Sequence, residues 1–298
     1  MNGLKSKIRK NLLGYLLVLP GIAFVLLINV YPLFHGIALA FQNASIYNLT
    51  SKKDFIGIDN FIKLFTQDKD FLGILGFTFL YTAVVVFGCY IIGLSLALLV
   101  NRTFRGRSLF RSFVLIPWVL PTVVAACAFS NTLSTSGIVN SVLIRFGVTD
   151  NPIMFFATPG WAKFSVIIMG LWKGFPFMVL TLLAGLQVIS EEMYEAAAID
   201  GASKRQALFY ITLPLMKNIS FIAIMLRFIW TFNNFEQVYL LTAGGPIKST
   251  MTVSIHSYLT AFVRNDLSYG ATITLTMMAF LMILIVVARM IMNRNEAE

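Results

Sequence analysis

Long apolar runs separated by short charged stretches dominate this chain. Six runs are long enough to cross a bilayer as helices, at residues 12–41, 73–100, 112–133, 161–189, 216–241 and 268–292, since about 20 apolar residues suffice. In lipid a helix satisfies its own backbone, so such runs predict helices rather than strands. The expected fold class is all-α: a polytopic membrane protein of about six transmembrane helices, with 1–298 as one domain. The first run is too long for a signal-peptide core and lacks a small-residue cleavage site, so it is read as a retained span. Pro20 and Pro32 are its expected bends, and Pro117 and Pro121 open the third run, where freed backbone groups need neighbouring helices. Residues 42–72 and 134–159 are read as loops on one side.

The stretch 190–214, SEEMYEAAAIDGASKRQALFYITLP, is strongly patterned and too charged for lipid. Ser190 is placed to cap a helix whose first turn holds Glu191 and Glu192, acids on the favourable end of the dipole. Tyr194, Ala197, Ala198 and Gly201 recur at helical spacing and predict a small-residue face. Gly201 predicts a left-handed stop. Ser203 and Gln206 then predict a capping box for a second short helix. The outcome is a helix, a sharp turn and a helix. Lys204 and Arg205 fall where the dipole disfavours cations, so anionic headgroups or an acidic partner are expected to compensate them.

Composition sharpens this picture. Of 298 residues, 58% are apolar and 12% charged, far from the balance of a soluble domain. The net charge of +10 is scattered between apolar blocks without an aromatic-interleaved basic patch, which argues for topology and against nucleic acid. Lys and Arg gather in the N-terminus, the loop holding Arg102, Arg105, Arg107 and Arg111, the 190–214 hairpin and the C-terminal tail, so both termini and the hairpin are expected in the cytoplasm. Cys89 and Cys127 lie in apolar blocks and are read as packing residues. His35 and His256 are far apart and no carboxylate or His/Cys cluster is evident, so an enzyme is not expected. No Gly-x-x-x-x-Gly-Lys-Ser/Thr loop occurs; ATP is not expected on this chain by that route. An ion-gradient-driven secondary transporter is the alternative, though the duplicated halves usual there are not seen.

Lys163, Lys173, Arg227 and Glu236 lie within or beside the runs. Lys163 can snorkel from a helix end. Lys173 sits about 25 Å of helix from Ser190 and Arg227 about 20 Å from Pro214, so both can reach intermediate depth. Charges there usually face a bundle interior or wet cavity. The surrounding residues, Trp172 to Phe177 and Arg227 to Glu236, mix aromatic faces with a few polar groups, as sugar sites require. Two alternatives stay open: Asn233 and Asn234 serve only hydrogen bonds between helices while the aromatics form only an interfacial belt, or either cation pairs with Glu236.

The hairpin resembles, position for position, the cytoplasmic EAA loop of the inner-membrane subunits of ABC importers: Glu195, Ala196 and Ala197, then Gly201, then Ile211, Leu213 and Pro214. A helical hairpin lying on the lipid surface is the plainer alternative. The segments 101–121, 183–203 and Thr231 to Pro246 (TFNNFEQVYLLTAGGP), with Gly57 to Phe61, resemble the maltose-type carbohydrate branch. This resemblance implies a type I ABC importer permease fold in a bacterial or archaeal cytoplasmic membrane, with ATPase coupling through Glu195, Ala196, Ala197, Asp200, Gly201, Ile211, Leu213 and Pro214. It further implies substrate contacts at Lys173, Gly174, Phe177, Arg227, Trp230, Thr231 and Asn234. The implied partners are a second homologous permease, two ATP-binding subunits that hold ATP and Mg, and an extracytoplasmic solute-binding protein. The implied cargo is a carbohydrate. Lys173 and Arg227 stand where neutral-sugar relatives are uncharged, which points to an acidic saccharide or a sugar phosphate such as glycerol phosphate.

Overall fold

Apolar length dictates the longest elements of the computed structural model, which describes residues 12–48, 54–102 and 104–294. The basic N-terminal residues Lys5 to Lys10, along with Lys52 and Lys53, lie outside the described residues. Among the described residues, four helices are long and apolar enough to cross a membrane, or six if each of two bent helix pairs forms one span.

One compact unit comprises residues 1–68 and 257–280. Helix α1 (Leu12–Val25) runs through a π turn at Leu26–Val30 into α2 (Tyr31–Ala40), with nearly every described side chain of α1 exposed. Pro20 sits inside α1 without interrupting it. The π turn lies just before Pro32, where the missing N–H and the ring would otherwise disrupt the preceding turn. A two-residue ribbon pairs β1 (Gln42–Asn43) with β2 (Asp54–Phe55), ahead of α3 (Asp59–Thr66). Asn60 Nδ2 donates to the carbonyls of Ala40 and Gln42, each at 3.2 Å. The Ala44 amide donates to Ser268 Oγ at 2.8 Å. These bonds satisfy backbone that the ribbon leaves open. Lys63 lies over the Tyr269 ring, 4.6 Å from its centroid.

The second unit comprises residues 69–256 and 281–298. Its core is the crossing of α4 (Phe71–Asn101) with α8 (Pro159–Leu186). Gly93 of α4 faces Met178 of α8, and Gly170 of α8 faces the Tyr81 hydroxyl, with no room for a Cβ at either glycine. Small residues let the backbones approach, as membrane helices require when apolar burial gives no drive of its own. Cys89 is buried at this crossing, whereas Cys127 is exposed, so the packing role read for both cysteines holds for Cys89 alone.

The third apolar run, expected as one kinked span, is two helices, α5 (Arg107–Val119) and α6 (Thr122–Thr132), set at 93°. Pro121 drives Leu120 into extended backbone, φ −61° and ψ 134°, because the residue before a proline avoids helical geometry. The expected loop 134–159 contains α7 (Ile138–Arg145). Buried Asn140 organises this region: its Nδ2 donates to Ser134 and Ile153 carbonyls, and its Oδ1 accepts from the Ile153 amide at 2.7 Å.

Helix α9 (Glu191–Ile199) and helix α10 (Lys204–Ala207) form the hairpin, followed by a π turn at Leu208–Thr212 and the short α11 (Leu213–Leu215). The fifth run, expected to continue to 241, ends with α12 (Lys217–Phe232) and restarts as α13 (Glu236–Thr242). Asn233 and Asn234 bond locally, to the Ile229 carbonyl and from the Gln237 amide, rather than between spans. An apolar helical segment at 253–263, beginning with α14 (Val253–Tyr258), was not expected. At 11 residues it is too short to register as a span. Helix α15 (Leu267–Arg294) closes the order of elements.

Candidate coupling elbow and pathway wall

The hairpin is built by its own capping chemistry. Ser190 Oγ accepts from the Glu192 amide at 3.3 Å and opens α9. At the other end Gly201 takes φ +80°. The Ala202 amide donates to the Ala197 carbonyl at 2.9 Å and the Gly201 amide to the Ala198 carbonyl at 3.1 Å, the paired bonds of a Schellman stop. Ser203 and Gln206 then close a reciprocal capping box. The Tyr194 and Thr212 hydroxyls, 2.9 Å apart, tie one arm to the other.

The elbow is joined to the spans at a defined point. Between Lys204–Leu215 and α12 the chain turns by 66°, at Met216, which is buried. Beside it, Gly185 of α8 leaves room only for Ile219 and the Met216 side chain. The elbow is thus linked to α12 through a bend rather than as one straight rod.

Of the candidate coupling residues, Glu195, Ala196, Asp200, Gly201 and Pro214 are exposed, while Ala197, Ile211 and Leu213 are half-buried. Ala197, Asp200, Gly201 and Ile211 share a cavity of about 320 Å³ in the crook of the elbow with Gln206 and Tyr210. Glu195 lines a separate cavity of about 670 Å³ with Arg107, Glu191, Tyr194 and Leu186. Ile199 is 87% exposed and Tyr210 79% exposed. Both are large apolar groups that the described residues leave uncovered on a charged hairpin. Lys204 and Arg205 are exposed and join no ion pair among the described residues.

Higher along the spans, α8 and α12 bring most of the candidate pathway residues together. The guanidinium of Arg227, 9% exposed, donates from Nη2 to the Gly170 carbonyl at 3.3 Å. A Cβ on Gly174 would fall on that guanidinium and meet Cys89 Sγ at 2.7 Å, so the arginine depends on a glycine beside it. Phe177 and Trp230 meet edge to face, centroids 4.8 Å apart. Thr231 is buried, its hydroxyl unpartnered among the described residues. Asn234 is half-buried at the end of α12 and accepts from the Gln237 amide at 3.2 Å. Lys173 is 8% exposed, and its Nζ donates to the Leu120 carbonyl at 2.6 Å.

Among the described residues neither Lys173 nor Arg227 lies within 4.0 Å of a carboxylate, so neither forms a salt bridge with Glu236, although the Glu236 charge still acts on Lys173 at longer range. Buried Tyr81, beside Gly170, belongs to the same polar cluster, and its hydroxyl too has no partner among the described residues. Sequence reasoning passed over it because a tyrosine in an apolar run gives no distinguishing signal. No group of three or more His, Cys, Asp or Glu side chains that could hold a metal occurs among the described residues.

Residues 89–296 match the family described as binding-protein-dependent transport system inner membrane component. The chain is 35% identical over 283 residues to the trehalose/maltose transport system permease protein MalF of Thermococcus litoralis, covering 94% of this chain and 92% of that one. It is 36% identical over 274 residues to the sulfoquinovosyl glycerol transport system permease protein SmoG of Agrobacterium fabrum, covering 91% and 87%. Its fold is similar to a chain in the crystal structure of a bacterial ABC transporter involved in import of the acidic polysaccharide alginate, with a TM-score of 0.86, 24% identity and 98% of each chain covered.

Proposed function

The chain belongs to the binding-protein-dependent transport system inner membrane components, and we infer from that membership and from its geometry that it is a permease subunit of an ABC sugar importer. It forms one half of a translocation pathway, with a second homologous permease forming the other. Two ATP-binding subunits carry ATP and Mg, and an extracytoplasmic solute-binding protein delivers the sugar. The termini and the elbow face the cytoplasm, in keeping with the Lys and Arg bias.

The observation that carries this reading is the elbow: a capped, turned hairpin that displays Ile199 and Tyr210 while Met216 seats against Gly185. A push on the displayed surface moves α8 and α12 together, and those helices hold the pathway wall. Since cargo that binds both orientations equally shifts neither, the wall must prefer the outward state and nucleotide must select it.

Gly174, Phe177, Arg227, Trp230, Thr231 and Asn234 form the wall, with Lys173 at the same level. Aromatic faces meet the C–H surfaces of a sugar and the polar groups its hydroxyls. Arg227 favours an anionic carbohydrate, a uronate or a sugar phosphate, because its charge is buried without a carboxylate and its Nε has no partner among the described residues.

Purification from native membranes tests the assembly: an ATPase and a second permease should accompany the chain, and vesicles holding the complex should accumulate sugar only with ATP. Uptake without a nucleotide-hydrolysing partner would overturn the reading.

A further inference from the structure

The 93° corner between α5 and α6 exposes main chain that a continuous helix would satisfy. Helix α5 ends at Val119, Leu120 is extended, and Pro121 offers no N–H. In apolar surroundings the Leu120 carbonyl needs a donor. Lys173 supplies it from α8 at 2.6 Å. The preceding residue, Trp172, packs its ring against Phe129 of α6, centroids 5.5 Å apart. Two consecutive residues of one long helix therefore grip both sides of the corner, Lys173 at the end of α5 and Trp172 along α6. With no carboxylate within 4.0 Å among the described residues, the bond to Leu120 is the polar contact through which the Lys173 ammonium is held.

We propose that Lys173 is a positioning residue that pins the corner of the third span to α8, so that movement of α8 starting at the elbow carries the corner with it. This rests on the permease reading above. The lysine acts through a hydrogen bond to backbone and not through the charge of the cargo. Its removal therefore impairs neutral and acidic sugars alike, whereas loss of Arg227 discriminates between them.

The test uses the assembled transporter in lipid vesicles, with Cys127→Ser as background and spin labels at Leu109 on α5 and Val124 on α6, both exposed. The unaltered Lys173 protein should give one narrow inter-label distance that shifts when nucleotide is added. Lys173→Met, which keeps length and loses the donor, should broaden that distance, abolish the shift, and cut uptake of neutral and acidic saccharides by about tenfold each. Lys173→Arg, which keeps a donor, should restore the narrow distance. An unchanged distance in Lys173→Met, or a loss confined to acidic saccharides, would overturn the proposal. If Lys173→Met does not assemble, Lys173→Gln decides, since its amide falls one bond short of the Leu120 carbonyl: a broad distance supports the pin, and a narrow, nucleotide-responsive one overturns it. Failure of the unaltered complex to take up any sugar would instead count against the permease reading.

Discussion

Phe177 on α8 meets Trp230 on α12 edge to face, with centroids 4.8 Å apart and planes at 64°. The pair joins the span entering the elbow to the span leaving it, at the level where Arg227 and Gly174 also meet. Trp230 keeps 48% of its surface exposed, which leaves its ring available to a ligand as well as to Phe177.

Replacing Trp230 with alanine is expected to raise the half-saturating sugar concentration for uptake about tenfold, the equivalent of ~1.4 kcal/mol of aromatic contact. Because the ring is half exposed, the amount of protein in the membrane should hold. Uptake measured against sugar concentration checks this, and an unchanged half-saturation point would remove Trp230 from the pathway.

Arg227→Leu is expected to weaken uptake of a uronate-bearing oligosaccharide by tenfold or more while changing a neutral one by about threefold or less. Competition between the two sugars for uptake provides the measurement. Equal losses would show that the guanidinium serves only the Gly170 carbonyl.

Gly174→Ala places a methyl group on the Arg227 guanidinium and against Cys89. Overpacking of this kind costs about 1–3 kcal/mol, so the thermal unfolding midpoint in detergent should fall. The displaced arginine should also reproduce the selectivity loss of Arg227→Leu. Adding Arg227→Leu to Gly174→Ala should recover part of the lost midpoint.

Gly201→Val tests the elbow. No atom stands within 4 Å of the position a Cβ would occupy, so the objection to a side chain there is the backbone at φ +80°, where a β-branched residue is strained by roughly 1–2 kcal/mol. The protein should still enter the membrane, while nucleotide hydrolysis by the partner subunits should continue with uptake reduced about tenfold or more. Transport at the normal rate would count against the coupling role.

Much of the elbow was legible in the sequence because capping is local. Ser190, Gly201, Ser203 and Gln206 act on backbone within a few residues, so their spacing alone announced a stop and a restart. Long helices were legible for the same reason, since apolar length needs no partner to be recognised. Glycine at 93, 170 and 174 carried no such signal: each matters because of a side chain or backbone on another helix, and one sequence does not reveal that pairing. The corner at Leu120 was foreshadowed by Pro117 and Pro121, yet proline permits either a mild kink or a full turn. The neighbour that satisfies the freed carbonyl, Lys173, lies 53 positions away, beyond the reach of any local reading.

Hydrophobic length, charge bias and local caps therefore determined by themselves that this chain is a helical membrane protein with a charged elbow near its middle. These properties arise from the solvent preference and hydrogen bonding of residues close in sequence. Tertiary structure alone decided which glycines admit a neighbouring helix, that Arg227 rests on Gly170 with no carboxylate beside it among the described residues, and that Lys173 turns to the backbone of a broken span. Those outcomes follow from the requirement that buried polar groups find donors and acceptors wherever packing brings them, however distant along the chain.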